Sequence, residues 1–189
     1  MTDVFEVLGG DHAAVKRMLD ALESSPDNSS GATEAVVAAR KAVAERLIIG
    51  SSAHETAEEQ YFWPTVRQLM PSGNDLADEA IEQESEAKNM LYELGKLGGG
   101  RHEFDALVDT LIPACRAHIE FEESRVWPGL RKVLSQGESQ ELGKKIAQAK
   151  QHSPTRPHPL TPPTPAVLAT LGPAVAVVDK LRDAVAGRG

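Results

Sequence analysis

One cysteine, Cys115, is all this sequence has. A single thiol excludes a disulfide framework and a cysteine-only metal site. Aromatics are scarce, at two Trp, two Tyr and four Phe, and alternating β-branched runs are almost missing, so there is little to build a sheet from. No apolar stretch approaches the ~18 residues that a bilayer crossing needs. The opening MTDVFEVLGGDH has neither a basic n-region nor an apolar h-region and does not read as a signal peptide. Basic residues are in the minority, and the net charge is −8. Residues 150–189 carry five Lys/Arg against two Asp, a local +3 that leaves −11 on residues 1–149. So acidic a body lacks the clustered cations that grip a nucleic-acid backbone. The expectation is a cytoplasmic chain with no nucleic-acid partner and no integral membrane association.

What is present points to helices. The chain has 189 residues, 41% of them apolar, enough for one buried core. Asp3 with Glu6 resembles a capping box, and Val4, Leu8, Val15, Leu19 and Leu22 follow at helical spacings. The cluster Ser24–Gly31 must be a loop. A second helical run spans about 33–63, where Pro64 interrupts it, and a third spans about 75–97. Gly98-Gly99-Gly100 then breaks the chain before a fourth run over about 102–127, with Pro113 expected to kink it. The fold class is therefore all-α, an up-down-up-down four-helix bundle over residues 1–149. Residues 150–189 form a second segment, a Pro-rich tail. A short amphipathic helix at 174–185, with Val177, Val178, Leu181 and Val185 on one side, straps it back onto the bundle.

The second half repeats the first. His54-Glu55-Thr56-Ala57-Glu58-Glu59 through Trp63-Pro64 overlays His118-Ile119-Glu120-Phe121-Glu122-Glu123 through Trp127-Pro128 without a gap. The odd helices match more faintly: Lys16/Lys88, Met18/Met90, Leu19/Leu91 and Leu22/Leu94 coincide, and His12 falls on Glu84. His12, His54, Glu58, His118 and Glu122 stand on stripes that should face the core. Residues four apart on a helix project from one face about 6 Å apart. An unpartnered buried carboxylate costs several kcal/mol, so acids and imidazoles converging on one level call for cations. Three imidazoles (His12, His54, His118) and three carboxylates (Glu58, Glu84, Glu122) make a mixed N/O shell suited to two iron or manganese ions. Glu82 and Glu86 compete with Glu84 for the third-helix position. Helix lengths place Glu84 and His118 at one depth. The first hairpin fits only if the 24–36 connection trails along the bundle or the first helix runs longer.

Other residues receive plainer assignments. Glu55, Glu59, Glu120 and Glu123 form a solvated face, with Glu59 or Glu123 as the alternative outer partners of ligands. Cys115 is a small core residue, and Trp63 and Trp127 plug the end of the bundle. Tyr61, seven after His54, either packs on that stripe or overlooks the site. His102, His152 and His158 lie outside it. His54-Glu55-Thr56-Ala57-Glu58 lacks the second histidine of a zinc peptidase, and neither hairpin has the Glu-x-x-His of ferritin-like sites.

A histidine on the first helix, His-x3-Glu on the second, a ligand on the third and His-x3-Glu on the fourth resemble the hemerythrin-like (HHE) cation-binding family over residues 4–134. The Arg156-Pro157-His158-Pro159 stretch resembles extensions of actinobacterial members. The resemblance implies a bundle around two non-haem iron ions with an oxo or hydroxo bridge, manganese being the second choice. It makes His12 and His54 terminal ligands of one ion, His118 a terminal ligand of the other, and Glu58 and Glu122 the bridges. Glu84 stands where the family usually has histidine, and Lys88 where oxygen carriers have another. The expected function is reaction with, or sensing of, small oxidants (O2, H2O2, NO), with catalase-like peroxide consumption and a role in oxidative stress. The alternative is an iron- or oxygen-sensing module that signals through its C-terminal segment.

Overall fold

The computed structural model describes residues 2–158 and 175–180, and among these the protein is all-helical. Helix α1 (Val4–Ser24) opens on the Asp3/Glu6 capping box. Helix α2 (Glu34–Ala57) is capped by Thr33, α4 is Gly73–Lys96 and α5 is His102–Phe121. Helix α5 continues through Pro113 without a break.

Pro64 does not stop the second run. Helix α2 passes into a π-turn (Glu58–Phe62) and then into α3 (Trp63–Leu69), with Pro64 in its first turn. The fourth run does the same: α5 leads into a π-turn (Glu122–Val126) and α6 (Trp127–Val133), with Pro128 in its first turn. The Trp63 N–H reaches back five residues to the Glu58 carbonyl, and the Trp127 N–H to that of Glu122. Each proline, which has no N–H to give, sits directly where the ladder returns from π to α. The sequence repeat is thus a structural repeat, down to the two π-turns.

Two apolar clusters fill the interior. One gathers Val4 and Leu8 with Phe62, Trp63, Ala77, Ala80, Trp127 and Leu130. The other gathers Leu19 and Leu22 with Leu47, Leu91, Leu94, Phe104 and Leu111. His12, His54, Glu84 and His118 fall between residues of the two clusters along their own helices.

The 25–33 connection resolves the unequal first hairpin by lying against the far end of the second. Asn28 donates from its backbone N–H to Asp105 (3.0 Å) and from its side chain to the Gly99 carbonyl (2.9 Å). Buried Arg40 pairs with Asp105 at 3.1 Å and donates to the carbonyls of Leu22 and Ser25.

One further helix, α7 (Gln136–His152), was not expected from the sequence. It opens on a second capping box, Ser135 with Glu138, and buries Leu142, Gly143 and Ile146 against α1, α2 and the first π-turn. Gly143 is needed there, because a Cβ would lie 2.7 Å from the Asp3 carbonyl carbon and 2.8 Å from the Val4 nitrogen. The helix runs past the boundary drawn at residue 149.

Of the expected C-terminal helix, only 175–180 lies among the described residues, and it is helical. Its buried side is Ala176 and Asp179, whereas Val177 and Val178 are exposed, opposite to the side the pattern suggested. Asp179 meets His158 at 2.9 Å, and Lys180 donates to the Gln151 carbonyl at 2.7 Å. Leu181, Val185 and most of the proline-rich stretch lie outside the described residues. No described helix is long and apolar enough to cross a membrane.

Candidate metal centre

All six residues singled out in the sequence come together. His12, His54, Glu58 and Glu122 each offer a ligand atom, and these atoms lie within 4.8 Å of one another. Glu58, Glu84, His118 and Glu122 form a second such group, so the two share Glu58 and Glu122. Glu84, and not Glu82 or Glu86, is the residue that α4 presents. The shared pair starts the two π-turns and is fully buried.

The donor atoms face inward and crowd one another: His118 Nε2 lies 2.8 Å and His12 Nε2 3.4 Å from the Glu122 carboxylate, and His54 Nε2 lies 3.0 Å from that of Glu58. Beyond those carboxylate–imidazole contacts, His12 Nε2, His118 Nε2, Glu84 Oε2 and both carboxylate oxygens of Glu58 and of Glu122 are buried with no hydrogen-bond partner. Orphaned buried polar atoms are costly, and seven at one level suit a site that two cations would satisfy. The opposite ring nitrogens are all engaged: His12 Nδ1 with Glu123 (2.9 Å), His54 Nδ1 with Asp11 (3.1 Å), and His118 Nδ1 with Gln83 (3.1 Å). With the proton held at Nδ1, each ring presents Nε2 to the centre. Glu84 Oε1 accepts from the Trp63 indole at 2.6 Å, which leaves Oε2 for the centre.

Burial and crowding set the charges of the layer. Burial, then the charge of Glu122, raises the Glu58 carboxyl above its ordinary range. Burial and the charges of Glu58, Glu59 and Glu55 raise Glu84 further. Burial opposes charge on Glu122 too, but His118 and His12 hold it well below the carboxylate range. Burial likewise opposes the cationic imidazoles, yet Glu58 and Asp11 raise His54 strongly, and Glu122 raises His118. Protons thus occupy positions for which a divalent cation would compete.

The surroundings depart from the sequence expectation in three places. Glu55 and Glu59 are not on a solvated face but buried, at 6% and 4% exposure, because Lys88 reaches them at 3.9 and 2.7 Å. Burial, only partly countered by Lys88, pushes Glu55 up to about 7. Tyr61 is 37% exposed while Phe62 is fully buried, because the extra residue of the π-turn rotates the helix beyond it by about a quarter turn. Trp63 and Trp127 wall the site itself: Trp63 bonds Glu84, and Trp127 stacks on the His12 ring at 5.0 Å. Cys115 is buried as expected, its thiol pushed up to about 12 by burial and by the nearby Glu55. It helps wall a cavity of about 30 Å³ with Val15, Ser51, Ala87 and Ile119 beside the three histidines and Glu84.

The fainter half of the repeat holds as well. Lys16 pairs with Glu123 at 2.9 Å, and its counterpart Lys88 pairs with Glu59, the counterpart of Glu123. Trp127 lies on His12, and its counterpart Trp63 bonds Glu84, the counterpart of His12.

Comparison with known proteins meets this geometry directly. The family model described as the hemerythrin HHE cation binding domain matches residues 3–130. The chain belongs to the hemerythrin HHE family. A hemerythrin-like protein of Schizosaccharomyces pombe is 29% identical over 131 residues, 69% of this chain and 64% of its own length. A DNA nickase of Nostoc is 27% identical over 99 residues, 52% of this chain and 28% of its own length. The chain therefore spans less than two thirds of either curated relative, and the nickase activity is stated of that protein. A crystal structure of a hemerythrin HHE domain-containing protein from Mycobacterium kansasii shares the fold, with a TM-score of 0.65 at 21% identity over 95% of this chain and 99% of that one. As a member of the HHE family, the chain is a cation-binding protein whose candidate ligands are the His/Glu groups above.

Proposed function

We propose that this HHE protein holds two non-haem iron ions and reacts with or senses small oxidants: O2, H2O2 or NO. The observation that carries the reading is the sharing of Glu58 and Glu122 between two four-residue groups. In this reading His12 and His54 would hold one ion and His118 and Glu84 the other, with Glu58 and Glu122 available to both. The antiparallel ends gathered in the two apolar clusters support an up-down-up-down arrangement of α1, α2, α4 and α5 around them. Such ions would supply redox chemistry toward a small oxidant, one electron from each.

The chain's own residues do the rest. Asp11, Glu123 and Gln83 fix the imidazoles by holding the Nδ1 protons. The buried indoles of Trp63 and Trp127 and the Phe62 ring keep bulk water out. The cavity beside the histidines has room for about one water-sized molecule, which suits a diatomic or triatomic oxidant. Glu84 adds a negative, hard donor in place of an imidazole, which favours the ferric state and disfavours reversible oxygen carriage.

Metal analysis and oxygen exposure test the reading together. Two irons per chain, irreversible oxidation of the reduced protein in air, and peroxide consumption are expected. Metal-free protein under iron-replete conditions, or a stable and reversible oxygen adduct, overturns it. A second reading, a sensor signalling through its C-terminal segment in the cytoplasm, draws on Asp11, which meets both His54 and Lys150 of α7. Iron-dependent protection of that segment from proteolysis would favour it.

A further inference from the structure

Among the residues that hold or back the candidate ligands, the internal repeat differs at one dipeptide. Asp11-His12 on α1 corresponds to Gln83-Glu84 on α4. The positions keep their tasks. Asp11 holds Nδ1 of His54, and Gln83 holds Nδ1 of the equivalent His118. His12 completes one four-residue group, and Glu84 completes the other. Formally each half carries one negative charge on this dipeptide, but in a different place. In the first half the carboxylate stands behind an imidazole; in the second it is itself a donor.

The consequence is two unlike donor sets. One group presents two imidazole nitrogens and two carboxylates, and both rings are backed by acids, Asp11 and Glu123. A carboxylate behind an imidazole makes it a stronger donor. The other group presents one imidazole and three carboxylates, with neutral partners behind them, the Gln83 amide and the Trp63 indole. Nitrogen-rich sites widen the preference for later first-row cations over manganese, whereas oxygen-rich sites of harder donors narrow it.

We propose that the two positions sort cations: supplied with both, the chain takes ferrous iron at His12/His54 and manganous ion at His118/Glu84. This deepens the proposed function and rests on its pair of cations. The test loads metal-free, full-length protein without oxygen with one equivalent each of Fe2+ and Mn2+. Anomalous diffraction at the two absorption edges then gives the occupancy of each position. Iron is expected to be in clear excess over manganese at His12/His54, with manganese in excess at His118/Glu84. Equal mixing at both positions, or the reverse order, overturns the proposal while leaving a two-cation site intact. A chain that binds no cation overturns it together with the proposed function. The double variant Q83D/E84H, which gives α4 the Asp-His pair of α1, should lose the sorting and still bind two cations; sorting undiminished in that variant would also overturn it.

Discussion

Lys150 and His54 meet at one carboxylate. Asp11 receives the His54 Nδ1 proton on one oxygen and the Lys150 ammonium on the other. A helix beyond the matched family region therefore reaches a residue of the candidate centre. Outer partners of metal-bound histidines are typically worth 10–100-fold in affinity. Lys150→Met should free Asp11 to turn away and weaken cation binding at His12/His54 about tenfold, read by chelator competition. Lys150→Arg should restore it. An unchanged affinity in Lys150→Met would disconnect α7 from the site.

Glu58→Gln separates function from stability. Losing a shared carboxylate should drop the bound metal below two ions per chain, read by elemental analysis. The metal-free protein should melt at least as high as wild type, because burial and Glu122 disfavour charge on Glu58. A clear fall in the melting temperature of the metal-free variant would mean that Glu58 serves the fold instead.

The pH dependence should invert with metal. Glu58, Glu84, His54 and His118 all bind protons more tightly folded than unfolded. Their stabilising contribution is complete below the unfolded values and is lost as pH rises through the folded ones. Metal-free protein should therefore lose stability from pH 6 to pH 8. Glu122 and Asp11, held low, act oppositely, but their loss comes only in acid. With metal bound the trend should reverse, because cations and protons compete for the same atoms. Thermal melts at both pH values, with and without metal, check this.

Asp105→Ala attacks the far end. It strands the buried Arg40 guanidinium and removes the acceptor of Asn28, a loss of about 3–5 kcal/mol for a broken buried pair. Denaturant melts should register that loss while metal stoichiometry stays at the wild-type value.

Cys115 should be silent. With its thiol raised to about 12 and the side chain buried, alkylation at pH 8 should wait on unfolding. Fast labelling of native protein would contradict the burial.

The six candidate ligands were legible because two numerical offsets, 64 between α2 and α5 with the π-turns that follow them and 72 between α1 and α4, superpose them. The π-turns were not. One residue added within a helix changes no composition, and only its consequence, Tyr61 outside and Phe62 inside, exposes it. The burial of Glu55 and Glu59 was hidden for another reason: their counter-charge, Lys88, comes from a different helix. Helix α7 did announce itself, through Ser135 and Glu138 ahead of Leu142 and Ile146, but the prolines downstream drew the boundary elsewhere.

Both tryptophans of the chain touch candidate ligands, Trp127 lying flat on His12 and Trp63 tied to Glu84. One indole thus watches each half of the centre, and no third adds background. Any change there in occupancy or oxidation state should be written into the ultraviolet emission of the unlabelled molecule, and replacing either ring with phenylalanine would assign each part of that signal to its own position.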